Sequence, residues 1–188
     1  ELRTPLSAIL GFVQLLPRRH ALNEETRHGL SVIMRSGEHL LSLINDILSI
    51  TKIEAGQMTL KEEPFDLHHL LEDLDETFQP RAEAKGLLLS VYIAGTLPRH
   101  VCADDGKLRQ ILINLLSNAL RYTQSGRIEL EASWVDERAV FTVRDTGYGI
   151  SPDELDLLFV AFSQTASGLH TKEGTGLGLA ISRANARL

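Results

Sequence analysis

Between residues 6 and 55 the apolar positions fall on helical spacing. Leu6, Ile9, Leu10, Val13 and Leu16 share one face of a helix over 6–16. Thr4-Pro5 precedes it and sets or kinks its first turn, and Pro17 with the polar run behind it ends it. Asn23, followed by Glu24 and Glu25, reads as the cap and first turn of a second helix over roughly 24–55. There Leu30, Ile33, Met34, Gly37, Leu40, Leu41, Ile44, Ile47, Leu48 and Thr51 recur close to every seven residues, a coiled-coil-like seam. Two helices with one apolar stripe each bury those stripes poorly by themselves. Two such hairpins bury them in a four-helix bundle, so a homodimer is expected. The plainer alternative is a hairpin lying on the rest of its own chain.

Gly56 reads as the cap that closes the long helix, and residues 57–67 as a short extended linker containing Pro64. A third helix over roughly 66–85 uses Leu67, Leu70, Leu71, Leu74 and Phe78, and Leu87–Ile93 is a strand. Asp104-Asp105-Gly106 opens a helix continuing through Lys107–Leu120, with Leu108, Ile111, Leu112, Leu115, Leu116 and Ala119 as its buried stripe. Residues 126–134 and 138–145 make a hairpin turning at Asp136-Glu137; Ser151-Pro152 starts a short helix, and a last helix covers 176–188. Cys102, Phe159 and Phe162 are expected to pack as hydrophobes, and Trp134 and Phe141 in the core or at its edge. The expected fold class is α+β. An N-terminal helical hairpin over 1–60 forms a dimeric four-helix bundle, and residues 61–188 form an α/β sandwich with a mixed sheet and helices on one face.

Composition adds limits. The 188 residues are 43% hydrophobic, enough for a core in one or two small domains. With 25 acids against 19 Lys and Arg, a net charge of -6 and no basic block, nucleic acid is not an expected partner. Cys102 is the only cysteine, so no internal disulfide exists and a cytoplasmic setting fits. No run approaches the length of a membrane span or has the pattern of a signal peptide, so any membrane attachment is expected outside these residues. The chain opens at Glu1 without a methionine and closes inside a helical pattern at Leu188, so it is expected to be cut from a longer protein.

The candidate chemistry lies in three clusters. Asp145 ends a strand, an acceptor held on rigid backbone, and Gly147 and Gly149 beside it let the chain turn and approach a flat ligand. By itself this pattern is weak and equally describes a tight turn. Gly174-Thr175-Gly176-Leu177-Gly178 opens an apolar run, where amides at a helix start could meet phosphate. Between the two, residues 163–175 are polar and glycine-bearing, as in a mobile lid. Asn114 and Asn118 lie one turn apart on one helix face, and Arg121 and Tyr122 extend their cluster. Amide oxygens can coordinate a hard cation; amide NH2 groups can donate to phosphate. A guanidinium at Arg121 could meet phosphate oxygens.

The order is Asp-Asp and a helix bearing Asn114 and Asn118, then Asp145-x-Gly-x-Gly, then Phe159-x-x-Phe, then Gly174-x-Gly-x-Gly. It resembles the catalytic and ATP-binding domain of sensor histidine kinases, in the superfamily shared with gyrase, the ninety-kilodalton heat-shock chaperone and the MutL repair protein. Glu1-Leu-Arg-Thr-Pro-Leu resembles that family's phosphoacceptor motif without its histidine, which in the family immediately precedes the glutamate. The resemblance covers essentially the whole chain. It implies ATP and Mg2+ as ligands, with Asn114 and Asn118 organising the metal and phosphates and Asn118 the stronger candidate metal ligand. Arg121, where a lysine is common, looks like a phosphate contact, and Tyr122 flanks the nucleotide. It also implies that Asp145 accepts from the adenine amino group, that Gly147 and Gly149 allow the base pocket, and that Gly174, Thr175, Gly176, Leu177 and Gly178 form the phosphate-side motif and lid hinge. Glu1 resembles the residue that polarises the acceptor histidine, and Thr4 one that supports phosphatase action. The implied partner after autophosphorylation is a response-regulator receiver domain. The resemblance has two departures: none of His20, His28, His39, His68, His69, His100 and His170 sits in the acceptor motif, and the strands that usually follow the last helix are not in these residues. A nucleotide clamp without kinase output and a degenerate dimerisation scaffold are the alternatives.

Overall fold

The computed structural model describes residues 6–7, 9–13, 16, 23–163 and 175–188. The chain divides into two compact units, Glu1–Gln57 and Met58–Leu188.

The first unit is helical. Helix α1 is helical at residues 6–7, 9–13 and 16, and α2 spans Glu24–Glu54. Asn23 caps α2, its side-chain oxygen accepting from the Thr26 N–H at 2.8 Å, and Glu24 and Glu25 sit in the first turn, where the helix dipole favours negative charge. Leu10 packs against Gly37, where a Cβ would meet the leucine side chain at 2.5 Å. Leu10, Val13 and Ile50 are buried, but Ile33, Leu40 and Ile47, spaced by seven, remain 49%, 48% and 47% exposed. One copy of the hairpin therefore leaves a long apolar row in water.

The second unit is an α/β sandwich. Its elements are β1 (Glu63–Asp66), α3 (Leu67–Glu83), β2 (Leu88–Ile93), β3 (His100–Ala103), α4 (Asp105–Tyr122), β4 (Arg127–Val135), β5 (Arg138–Asp145), a 3-10 turn (Pro152–Leu157) and α5 (Gly178–Asn185). The main sheet has the order β2-β4-β5, with β2 parallel and β5 antiparallel to β4. Strand alternation sorts its faces: Leu89, Ile128, Leu130 and Ala132 point into the core, while Ser90, Tyr92, Glu131 and Arg144 lie on the opposite face. Leu67, Leu71, Leu74 and Phe78 of α3 and Leu112 and Leu116 of α4 are all but completely buried in the same core. The mixed sheet with helices on one face is thus as expected. The hairpin turns at Asp136 and Glu137, both with left-handed φ (48° and 61°), the backbone that a two-residue hairpin connection requires.

Three expectations need correction. The stretch 57–67 is not all linker: it contains β1, which pairs antiparallel with β3, a strand absent from the sequence reading. Each is only four residues long, too short for its alternation to stand out, and Pro64 is tolerated because the pair forms a two-stranded sheet of its own. Cys102 is exposed on β3 rather than packed. Phe159 and Phe162 are 41% and 67% exposed, since the 3-10 turn before them buries none of its residues.

Helix α4 is anchored at its start by Asp104. One carboxylate oxygen accepts from the Lys107 N–H at 3.0 Å; the other accepts from Lys107 Nζ at 2.9 Å and from the Lys61 N–H at 3.0 Å. Burial pushes this carboxyl up, but the Lys107 ammonium and the two backbone donors outweigh it and hold the pKa down at about 2. We expect Asp104→Ala to cost about 0.5–2 kcal/mol of stability, the usual penalty for losing an N-cap, measured by urea denaturation at neutral pH. A depressed carboxylate contributes its stability in full above its ordinary value of 3.8 and loses it as pH falls from there through about 2. The deficit of the variant should therefore shrink as pH is lowered across that window.

Candidate functional site

Helix α4 has a double character. Its leucine stripe faces the sheet, and its polar positions near the C-terminal half meet the two glycine-bearing segments. Asn114 is half-buried and its Nδ2 donates to the Gly178 carbonyl at 3.1 Å and to Ser182 Oγ at 3.2 Å, both on α5. One turn back, Gln110 Oε1 accepts from Asn185 Nδ2 at 3.1 Å. A polar seam therefore joins α4 to α5, flanked by buried Leu177 and Ile181. Gly178 lies against it, where a Cβ would be 3.4 Å from Asn114 Cγ.

The other cluster closes on the C-terminal end of the same helix. Asp145 ends β5 and its Oδ1 accepts from the Gly147 N–H at 2.8 Å, a side-chain-mimicked turn that directs the chain back. That turn carries Gly147 against α4: a Cβ there would sit 2.5 Å from the Tyr122 carbonyl oxygen and 2.8 Å from Asp145 Oδ1. Only glycine fits. Lys85, in the turn after α3, donates from Nζ to the Leu120 carbonyl at 2.8 Å and so satisfies an acceptor at this helix end. Thr146 completes the crossing, its Oγ1 accepting from the Arg127 N–H at 3.0 Å and donating to the Ser125 carbonyl at 3.1 Å. Beside it Thr123 is buried, its Oγ1 without a hydrogen-bond partner among the described residues.

The structure thus brings Asn114 to Gly178, and Asp145, Gly147 and Tyr122 to one another. Asn118, one turn from Asn114 on α4, is half-buried and its side chain makes no hydrogen bond with a described residue; Arg121 and Tyr122 are half-buried at the same helix end. Gly149 follows Gly147 with φ +70°. Thr175 Oγ1 accepts from the Leu177 N–H at 3.1 Å. Gly176 is doubly constrained: φ is +69°, and a Cβ would press on the Ser163 carbonyl at 2.7 Å. Its backbone breaks the run, so α5 begins at Gly178 rather than at the expected 176. Glu1, Thr4, Gly174 and the lid interval 164–174 lie outside the described residues. Ser182, Gln110, Asn185 and Lys85 were not among the residues read from the sequence. Ser182 was accessible to that reading, since it stands four residues after Gly178 and so shares its helix face; Lys85 carried no local signal.

Residues 103–188 match the family profile described as "Histidine kinase-, DNA gyrase B-, and HSP90-like ATPase", and residues 1–56 match that of the "His Kinase A (phospho-acceptor) domain". The "Sensor protein GacS" of Pseudomonas syringae pv. syringae is 41% identical over 97% of the chain and 21% of its own length, and the "Sensor protein TorS" of Escherichia coli (strain K12) is 41% identical over 97% and 20%. A crystal structure of full-length ShkA in complex with AMPPNP superposes with a TM-score of 0.78 at 38% identity, over 99% of this chain and 38% of that one. The mixed sheet, α4 with its paired asparagines and the two glycine turns belong to the ATPase class that includes histidine kinases and gyrase. With the phospho-acceptor domain ahead of it, the chain belongs to the sensor histidine kinases. It spans about a fifth of the length of the curated relatives named here.

The two glycines set a direct comparison. Gly147→Ala must push a methyl into the Tyr122 carbonyl, and we expect a loss of about 1–3 kcal/mol. Gly178→Ala meets only ordinary contacts and removes a glycine from a helix, so stability should change by less than about 1 kcal/mol. Urea denaturation of the two variants checks the order.

Proposed function

We propose that this chain is the core of an ATP-dependent protein-histidine kinase, with residues 1–60 as the dimerisation and phosphotransfer hairpin and 61–188 as the ATP-binding domain. The observation that carries the reading is that both candidate ligand-binding segments converge on one helix: the Asp145–Gly147 turn at Tyr122 and the Gly176–Gly178 segment at Asn114. Adenine is placed at Asp145, whose Oδ2 has no partner among the described residues and is available to accept from an exocyclic amine. Gly147 and Gly149 keep the turn free of side chains for a flat base. Thr175, Gly176, Leu177 and Gly178, together with Gly174, are assigned to the phosphate side, and Arg121 to a phosphate oxygen through its guanidinium. The amide oxygens of Asn118 and Asn114 are the groups that would hold Mg2+, which when bound neutralises phosphate charge. The residues fit these ligands: the Asn118 side chain has no hydrogen-bond partner among the described residues, and Gly147 lets the Asp145 turn close directly on the main chain at Tyr122. That the similar full-length ShkA is in complex with AMPPNP supports a nucleotide as the ligand.

The acceptor is assigned to a histidine immediately preceding Glu1. Its imidazole nitrogen forms the bond to the γ-phosphorus as the bond to the ADP oxygen breaks; an aspartate of a receiver domain then takes the phosphoryl group. Glu1 is assigned to polarise that imidazole, and Thr4 to support phosphatase action, the hydrolytic loss of the phosphoryl group to water. No helix among the described residues is long and apolar enough to cross a membrane, and we place this part of the protein in the cytoplasm, with any membrane anchor elsewhere. Asp145→Ala should weaken ADP binding by about 1.5–3 kcal/mol, the cost of an unpaired base donor, with the fold unchanged by circular dichroism. Equal affinity by titration calorimetry would remove Asp145 from the base pocket.

The exposed row Ile33, Leu40 and Ile47 supports a homodimer built as a four-helix bundle. Placing Glu at both Leu41 and Leu48 puts charge on this seam, and light scattering should then give the 20.8 kDa of one chain in place of twice that value. A unit mass of 20.8 kDa for the unmutated chain at high concentration would reject the bundle.

A further inference from the structure

Strand β2 is bonded on one side only. At the two ends of its pairing with β4, the N–H groups of Leu88 and Ala94 donate to the Gly126 and Ala132 carbonyls, at 3.0 and 2.8 Å. Backbone direction alternates along a strand, so Leu89, Val91 and Ile93 turn their N–H and C=O groups away from β4. β2 is the last strand of its sheet, and no described residue pairs with that edge. An edge left open in this way invites a second strand, and proteins ordinarily guard it with charge, proline or a bulge. Here the guards are missing. No charged residue stands between Lys85 and Arg99, the one proline of that interval, Pro98, lies beyond the strand, and the register with β4 runs without interruption. The edge is also within reach. Leu88 and Tyr92 are 71% and 61% exposed, and Val91 and Ile93 are only half-buried, unlike Leu130 and Ala132 on the neighbouring strand.

The strand that fits this edge best is the edge itself. Its free groups sit on alternate residues, so a second copy running antiparallel about a two-fold axis at Val91 meets every one of them. Val91 then faces Val91, and Leu89 faces Ile93 of the second copy, each pair exchanging both of its N–H···O=C bonds. On the exposed face Tyr92 comes opposite Ser90, with Leu88 of the second copy as its diagonal neighbour, so an aromatic and an aliphatic side chain leave water together. The net charge of -6 sets two copies against each other elsewhere, but this stretch brings no charge to the contact. We propose that the free edge of β2 is a homotypic interface, through which two copies of the second unit join their three-stranded sheets into one continuous sheet. This contact is separate from the hairpin seam and requires neither the bundle nor a nucleotide.

The test uses the whole chain and amide hydrogen exchange read by NMR. In a concentrated sample the amides of Leu89, Val91 and Ile93 should be protected as well as those between them. Ser90→Lys combined with Tyr92→Lys places like charges opposite each other on the exposed face. The three amides should then exchange at least about 10-fold faster than in the parent, after correction for intrinsic rates. Leu88 and Ala94, bonded along β4, should keep their protection and so report an intact sheet. Equal exchange of the three amides in the two chains overturns the proposal. A sample mixing two differently isotope-labelled forms of the parent identifies the occupant. A nuclear Overhauser contact is expected between Ser90 of one form and Tyr92 of the other. Protection without that contact would mean that a segment of the same chain covers the edge, or that another register forms, and either overturns the proposal. If the substituted chain does not fold, the contact between the two labelled forms of the parent decides alone.

Discussion

The second unit depends on helix α4 being buried on one side and polar on the other. Leu112 and Leu116 are driven into the sheet by the ordinary hydrophobic gain of about 1.5–3 kcal/mol per fully buried side chain, and this fixes the rotation of the helix about its axis. Once that rotation is set, the remaining faces have no freedom. Asn114 and Gln110 must point towards α5, and the helix end must meet the turn after β5. Asp104 and Lys85 secure the two ends, one by filling donors and the other by filling an acceptor. The geometry of the candidate site is therefore built on a packing decision made at the leucines.

The long periods of this chain were legible because each is a repeated choice. Helices α2, α3 and α4 announce themselves in stripes of Leu and Ile, and β4 and β5 in alternation broken by Asp136-Glu137. Strands β1 and β3 were not legible, for four residues offer only two steps of alternation and one of the four in β1 is proline. Phe159 and Phe162 misled for a different reason. Aromatic residues at helical spacing imply burial only if the segment has a partner to lie against, and here Phe159 is covered on one side by the Arg183 guanidinium at 5.0 Å.

The candidate site was legible in its residue types and not in its couplings. Asp145, Gly147 and the asparagine pair stand out because those types are costly or unhelpful where they occur. The polarity of an amide, the carbonyl opposite Gly147 and the lysine that reaches Leu120 are relations between residues 25 to 64 positions apart. Local pattern carries no record of them. They appear only when hydrogen-bond donors and acceptors are counted across elements.

Gly147 also separates what can drift in this protein from what cannot. The distance between the end of α4 and the end of β5 is set by one main chain resting on another, with no side chain interposed. Neighbouring residues can therefore exchange size and charge over many substitutions without widening or narrowing the gap between Tyr122 and Asp145. A lineage, or an engineer, could recolour the walls of this site freely while its width stayed constant, and a different width would require moving a whole element.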